Sequence, residues 1–408
     1  MEPVVIAGVG MTRFGKHLDV GLKELGRGAV LDALSDAGVD QEAIEAAWVG
    51  NAMAGLVTGQ ECIRGQVVLR SAGIGRIPVV NVENACASAS TALQQASLMV
   101  AAGLYDVVLA LGVEKLYHPD KKRSFQAIGS AVDTEEMAAI MEGLARRAKA
   151  EGATEAASGA GEKRSMFMDF YAAFARHHME KYGTTKEQFA RIAVKNHYHG
   201  SLNPHAQYRE VYTLEDVLTS PPVAEPLTRL MCSPIGDGAA AAILVSPELA
   251  RQMTSKPVWV KASVLNSGFD REPGADDVTT TTAKKAYEMA GVGPEDLNVL
   301  EVHDASAPAE LVLYEELGLC GPGEGGALID SKATYFDGPK AVNPSGGLIS
   351  KGHPIGATGV AQIYEIFSQL RGEAGDRQVK NAKVGLTENG GGMVKGDPAA
   401  VSVHILTV

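Results

Sequence analysis

Cysteine is scarce in this chain: four residues in 408, Cys62, Cys86, Cys232 and Cys320, with no CxxC pair among them. That spacing fits neither a zinc knuckle nor a disulfide framework and implies a reducing compartment. Positive charge is also short. With 37 Lys and Arg against 49 Asp and Glu, the formal net charge is −12, which excludes a general nucleic-acid binder, because phosphate contacts need a basic face. Any anionic ligand must meet a local basic patch. No apolar run approaches the ~18 residues that a spanning helix needs, so no membrane segment is expected. The opening Met1-Glu2-Pro3-Val4-Val5-Ile6 has no basic region or long apolar region of a secretory signal, and the closing Val403-His404-Ile405-Leu406-Thr407-Val408 is not a Ser-Lys-Leu address. A cytoplasmic location is the expectation.

What is present is hydrophobic and repeated. A 45% hydrophobic content over this length supports a large core and two or three domains. Sliding the sequence by 267 residues sets Cys86-Ala87-Ser88-Ala89-Ser90-Thr91-Ala92-Leu93 over His353-Pro354-Ile355-Gly356-Ala357-Thr358-Gly359-Val360. Upstream, a shift of 253 sets Ala37-Gly38-Val39 over Ala290-Gly291-Val292 and Val49 over Val302. A two-copy repeat this long implies two similar βα halves around a pseudo-twofold axis. A cysteine and a histidine at matching helix starts can meet across that axis, and nucleophilic acyl transfer requires such a pair.

The first half is read as residues 1–116 with 231–254, and the second as 255–408. Between them, 117–230 is read as an inserted cap, with helical spacing over Phe167 to Tyr182 and Lys186 to Tyr198 and a mobile Ala148 to Gly161 loop. Strands alternating with helices imply α/β layering with largely parallel sheets. Two halves sharing a central helix layer make a five-layer α/β/α/β/α sandwich.

Cys86 opens the helix beginning near Thr91, where the positive end of the helix dipole is expected to favour the thiolate. A lone cysteine there reads equally as a small buried hydrophobe; the histidine at the matching position decides for chemistry. His353 lies in the glycine-rich run Asn343 to Gly359, a loop suited to close backbone approach. His303 ends the apolar strand Val299 to Val302 and can donate to a substrate carbonyl, forming an oxyanion hole with His353. In Glu388-Asn389-Gly390-Gly391-Gly392, the amides of Gly390 and Gly391 are candidates for a second hole with the amide of Cys86; a tight strand turn is the plain alternative.

These segments resemble the thiolase family: Asn84-Ala85-Cys86-Ala87-Ser88, Gly352-His353-Pro354-Ile355-Gly356-Ala357-Thr358-Gly359 and Ser233-Pro234-Ile235-Gly236-Asp237-Gly238-Ala239-Ala240-Ala241 match its signatures in order and spacing. His303-Asp304, where Asn-Glu is usual, resembles the branch of sterol-carrier-protein and archaeal thiolases, with benzoylsuccinyl-CoA-type enzymes as plausible members. The resemblance implies that Cys86 is the acylated nucleophile, His353 its base, and His303 with His353 the first oxyanion hole. It also implies that Ser233 contacts the pantetheine arm of coenzyme A, that coenzyme A is a substrate with no metal in this chain, and that a homodimeric core pairs with a small zinc-ribbon and OB-fold subunit.

The usual second cysteine is absent, Glu388 or Asn389 and Ala305 standing in its places. Glu388 is the candidate acid/base, a partly desolvated carboxyl tending toward a neutral pKa, and a structural role for it is nearly as well supported. Lys121, Lys122, Arg123, Arg146, Arg147, Lys163 and Arg164 are candidates for the phosphates of coenzyme A. His177, His178, His197, His199 and His205 match no zinc pattern and are read as a solvated helical face. The expected activity is cleavage of a 3-oxoacyl-CoA through an acyl-cysteine, or the reverse Claisen condensation. The alternatives are a retro-aldolase on a 3-hydroxyacyl-CoA and a non-catalytic acyl-CoA-binding scaffold.

Overall fold

The computed structural model describes residues 3–150, 164–253, 256–272 and 274–408, without the side chains of residues 144, 145 and 147–150. Ten strands form one sheet: β1 Val4–Met11, β2 Ala46–Gly50, β3 Val79–Val82, β4 Val107–Glu114, β5 Gly238–Val245, β6 Val258–Ser267, β7 Val299–Glu301, β8 Ala341–Val342, β9 Val384–Gly391 and β10 Ala400–Thr407. Nine helices carry the argument: α1 Leu22–Ala37, α2 Ser88–Ala101, α3 Lys121–Gly129, α4 Met137–Ala150, α5 Phe167–Tyr182, α6 Lys186–Ser201, α7 Val278–Ala290, α8 Ala307–Glu316 and α9 Thr358–Arg371.

The strand order is β8-β7-β9-β10-β6-β1-β5-β4-β2-β3, so each half repeats one five-strand pattern and the halves join where β1 meets β6 over three residue pairs, from Val4 with Val260 to Ile6 with Val258. The sheet is mixed rather than largely parallel. In each half the three outer strands run parallel and the inner two antiparallel. The reason is connection length: β9 returns as β10 within nine residues, too few for the crossover that parallel strands need.

Both faces of each half are covered. Along β5, Ala239, Ala241, Ile243 and Val245 pack toward α1, while Ala240, Ala242 and Leu244 pack toward α2 and α9, the period-two alternation of a strand buried on both sides. A third core joins the far face of the second half to α6, α7 and α8. The layers therefore run α1, first half-sheet, α2 with α9, second half-sheet, then α6 to α8. The middle layer is tight: a Cβ on Gly359 of α9 would lie 2.4 Å from the Ser90 amide of α2, so only glycine allows the two helices to pack there.

The 3₁₀ turn and helix at Ala85–Ala101 and at Ile355–Arg371 have equal lengths and lie 270 residues apart. By element, Cys86 corresponds to Gly356, and His353 comes three residues earlier, before its turn. The segment Ala148 to Gly161 lies outside the described residues, apart from the backbone that ends α4.

Candidate functional site

Cys86 sits in the turn Ala85–Ala87 that leads into α2. Ala85 takes a left-handed φ of 47°, a conformation costing a non-glycine residue on the order of 1 kcal/mol. It is held there: its amide donates to Glu83 Oε1 at 2.6 Å, and Ser88 Oγ donates to its carbonyl at 2.6 Å. His353 enters from the other half behind Gly352, whose φ of 109° admits only glycine readily. His303 closes the group from the end of β7.

The Cys86 sulfur and one ring nitrogen of each histidine all lie within 4.8 Å of one another, and the two Nε2 atoms are 3.5 Å apart. Thr358 Oγ1 donates to the Pro354 carbonyl at 3.2 Å, so it accepts from His353 Nδ1–H at 2.7 Å. That leaves His353 Nε2 unprotonated, facing the thiol, and makes His303 Nε2–H the donor between the rings. Burial pushes His303 down to about 4; burial and the neighbouring His303 hold His353 far below its ordinary value. Both rings are neutral at pH 7.

The thiol departs from the expected thiolate. Burial pushes Cys86 up to about 12, outweighing the N–H of Gly392 and its own amide, with Glu114 and Glu83 adding to the rise. Desolvation in an apolar nest with Met53, Leu116 and Ile355 costs more than the helix terminus returns. The resting site is a thiol beside a neutral imidazole whose Nε2 is free to accept its proton.

Glu388 lies on β9, 2% exposed, with Oε2 accepting the His303 amide at 3.0 Å. Burial, reinforced by Asp277, raises its carboxyl to about 7 against that bond. All four side chains line one cavity of about 890 Å³, together with Ser233, Gly390 and Gly392. Gly391 is not on that wall; its backbone presses on the turn of Cys86, where a Cβ would lie 2.1 Å from the Asn84 carbonyl oxygen. Ser233 donates its amide to Ala305 at 3.0 Å and Ile235 bridges His353, so this segment laces both histidine loops together. Asp237 anchors it through the amides of Leu116 and Tyr117 at 2.8 and 2.7 Å.

Other expected residues fall elsewhere. Arg146 is 74% exposed on α4, pairs with Glu142, and is absent from the cavity wall; the side chain of Arg147 and all of Lys163 lie outside the described residues. Lys121, Lys122 and Arg123 are exposed at the start of α3, whereas Arg164 lines the cavity and pairs with Asp169. Of the five insertion histidines, His177 is exposed as a solvated face requires and His205 is half-buried against Tyr364, but the other three depart from that reading. His178, His197 and His199 are buried, bonded to Thr184 and Glu315, to the Leu230 carbonyl, and to the Asn343 carbonyl respectively. Their helices carry them inward onto the second half-sheet, where imidazoles tether loops.

Three groups escaped sequence reading. Tyr171 on α5 lines the cavity, where burial first of all keeps its phenol protonated. Thr358 sets the tautomer of His353. Behind His303, Asp304 accepts from the Leu348 amide and Asn196 at 2.6 and 2.7 Å, and Asn196 also donates to Glu310, which the buried Lys195 neutralises. Thr358, inside the glycine-rich signature, and Asp304, beside His303, carried a sequence signal; Tyr171 carried none.

Comparison with known proteins agrees with this geometry. Residues 4–248 match the family described as thiolase, N-terminal domain, and residues 270–405 the thiolase C-terminal domain-like family. The chain is 42% identical to an acetyl-CoA acetyltransferase of Methanothermobacter thermautotrophicus over 99% of both chains. It is 38% identical to the benzoylsuccinyl-CoA thiolase subunit BbsB of Thauera aromatica, covering 95% of this chain and 94% of that one. Among solved structures it is similar to the Ltp2-ChsH2(DUF35) aldolase, with a TM-score of 0.78, 27% identity and 100% and 98% coverage. Human mitochondrial 3-ketoacyl-CoA thiolase, at 18% identity and a TM-score of 0.69 over 100% and 98% of the chains, matches in fold.

Proposed function

The chain belongs to the thiolase family and is an acyl-CoA acyltransferase that uses coenzyme A as substrate, and on that premise we propose that it works through an acyl group carried on Cys86. The observation that carries this reading is the cluster of Cys86, His303 and His353 with Glu388 on one cavity wall. In the cleavage direction, His353 Nε2 takes the thiol proton as sulfur attacks the 3-oxo carbon. The oxyanion is met by His303 Nε2–H and by the newly protonated His353. The Cα–Cβ bond breaks, and the departing carbanion takes the Glu388 proton. The Glu388 carboxylate then accepts the proton of incoming coenzyme A, whose sulfur takes the acyl group from Cys86 against the amides of Cys86 and Gly392, and the departing Cys86 sulfur recovers its proton from His353 Nε2. A carboxyl near 7 suits both transfers. Ser233 supports the pantetheine arm.

The division into 1–116 with 231–254, 117–230 and 255–408 is the domain scheme that accompanies this reading. A homodimer is supported by the bare edge at β3, where Val80 is 43% exposed, since an open edge invites pairing. The benzoylsuccinyl-CoA relative is named a subunit and the aldolase structure pairs two names, which supports a small partner protein. No helix among the described residues is long and apolar enough to cross a membrane; four free, separate cysteines support the cytoplasm. The three clustered side chains are donors that a divalent ion also takes, and the metal-free reading predicts full activity after chelation.

Intact-protein mass after incubation with acetoacetyl-CoA and bulkier 3-oxoacyl-CoAs tests the route. An adduct on the wild type, absent from Cys86→Ala and released by coenzyme A, is expected. No adduct with any substrate moves the reading to the lyase, which the aldolase neighbour favours and which needs no acyl-cysteine.

A further inference from the structure

Resting on this acyl-transfer reading, we propose that Glu114 is a positioning residue: its side chain holds the His353 turn of the second half against the Cys86 pocket of the first, and acylation of Cys86 depends on that hold. Glu114 ends β4 and is buried. Its two oxygens accept from the side-chain amide of Asn51 at 3.1 Å and from the main-chain amides of Ala52, Met53 and Lys115 at 3.2, 3.1 and 3.3 Å, all in the first half. One further bond crosses between the halves: the Gly356 amide donates to Oε2 at 2.9 Å. Each of these partners is an N–H, so Glu114 serves them only as an acceptor. Burial raises its carboxyl, and the amides of Met53, Gly356, Ala52 and Lys115 oppose that rise.

What these bonds join is the reacting pair. Met53 lines the cavity and packs with Leu116, Ile355 and Cys86 in the apolar nest of the thiol. Gly356 is the middle of the turn Ile355–Ala357, which leads from His353 to Thr358, the residue bonded to His353 Nδ1. A shift of Gly356 therefore moves both the imidazole and its hydroxyl support. Glycine on both sides makes room for the contact: a Cβ on Gly356 would lie 2.8 Å from Asn51 Cα, and one on Gly112 of β4 would lie 2.7 Å from the Gly356 carbonyl oxygen. The opposite turn is clasped differently. At the end of β9 the bare backbone of Gly391 presses on Asn84 and Ala87, on either side of Cys86. Each strand end thus holds the turn of the other half, one by close packing and one by a carboxylate. Only the carboxylate can be altered without forcing a new side chain into the contact.

The test is a double-mutant cycle on the full-length enzyme, read as the rate at which acetoacetyl-CoA loads an acyl group onto Cys86, followed by intact mass. Glu114→Gln sets an NH2 group against main-chain N–H donors whichever way the amide turns. It should slow loading about tenfold to a hundredfold, the scale of a reacting group displaced by about an ångström, with KM changed by less than about twofold. In a His353→Ala background the same substitution should slow loading by less than about twofold, because a residue that acts through His353 has nothing left to place. An unchanged rate for Glu114→Gln alone, or its full loss repeated in the His353→Ala background, overturns the inference and leaves acyl transfer standing. Should Glu114→Gln not fold, Glu114→Asp keeps both acceptor oxygens one methylene short and should show a smaller loss with the same dependence on His353; no loss, or a loss independent of His353, overturns the inference equally. Absence of a Cys86 adduct on the wild type instead overturns the acyl-transfer reading beneath it.

Discussion

The two halves share one skeleton and use it differently. The outer strand of the first half, β3, has Val80 and Asn81 exposed, whereas its counterpart β8 is wholly buried under the helices of the insertion. The first half presents its reactive atom on a turn joined directly to α2; the second presents His353 on a glycine loop five residues before α9. The difference teaches how a repeat becomes an enzyme. One copy keeps an open edge and carries Cys86 on a short, strained turn. The other closes its edge and carries His303, His353 and Glu388, and the duplicated helices only bring the two together.

Breaking the pairing at the nucleophile has the largest expected effect. Cys86→Ala should abolish thiolysis, a loss of at least about 10⁴-fold in kcat, with the melting temperature retained. Iodoacetamide should label wild-type Cys86 at pH 7 more slowly than a free thiol, because burial rather than the helix terminus governs it. Breaking it from the other half, His353→Ala should cost about 10²- to 10⁴-fold in kcat, while Thr358→Val, which frees Nδ1 and loosens the tautomer, should cost roughly tenfold to a hundredfold. A Thr358→Ser variant that recovers most activity would assign the effect to the hydroxyl.

Glu388→Gln sharpens the comparison through pH. The Glu388 carboxyl rises to about 7 on folding, so its contribution to stability is complete below the ordinary carboxyl value and is lost as pH rises through 7. The variant should lose about 10²-fold in rate, lose the limb of the pH–rate profile near 7, and fall less in melting temperature than wild type between pH 6 and 8. The buried histidines act in the opposite direction. His197, His303 and His404 drop to about 4 and His199 to about 3, so stability falls as pH drops from 6.5 toward 4. Each contributes up to roughly 2 kcal/mol of loss by pH 5, and calorimetry should show a steep acid limb. The smallest effect lies at the open edge: Val80→Lys should leave the fold intact and shift sedimentation from dimer toward monomer.

The four catalytic candidates were legible because their chemistry is written in short segments: a cysteine at a helix start, a glycine-rich histidine loop, a histidine at a strand end, a carboxyl before three glycines. The fold class followed from the alternation of strands and helices and from the repeat. The mixed sheet was not legible, since direction depends on whether a connection returns beside its own strand. His178, His197 and His199 were misjudged because a sequence reveals the spacing of a helix but not what covers it. The charge state of Cys86 was misjudged for the same reason.

The residues by themselves determined the family and singled out Cys86, His353, His303 and Glu388 as candidates, because those depend on local backbone geometry and side-chain identity. Tertiary structure alone decided that the thiol is protonated at rest, that Gly392 rather than Gly391 reaches it, that Tyr171 and Glu316 share the cavity, and that Arg146 does not. Each of these turns on desolvation or on proximity between distant segments, and both arise only when the two halves close on one another.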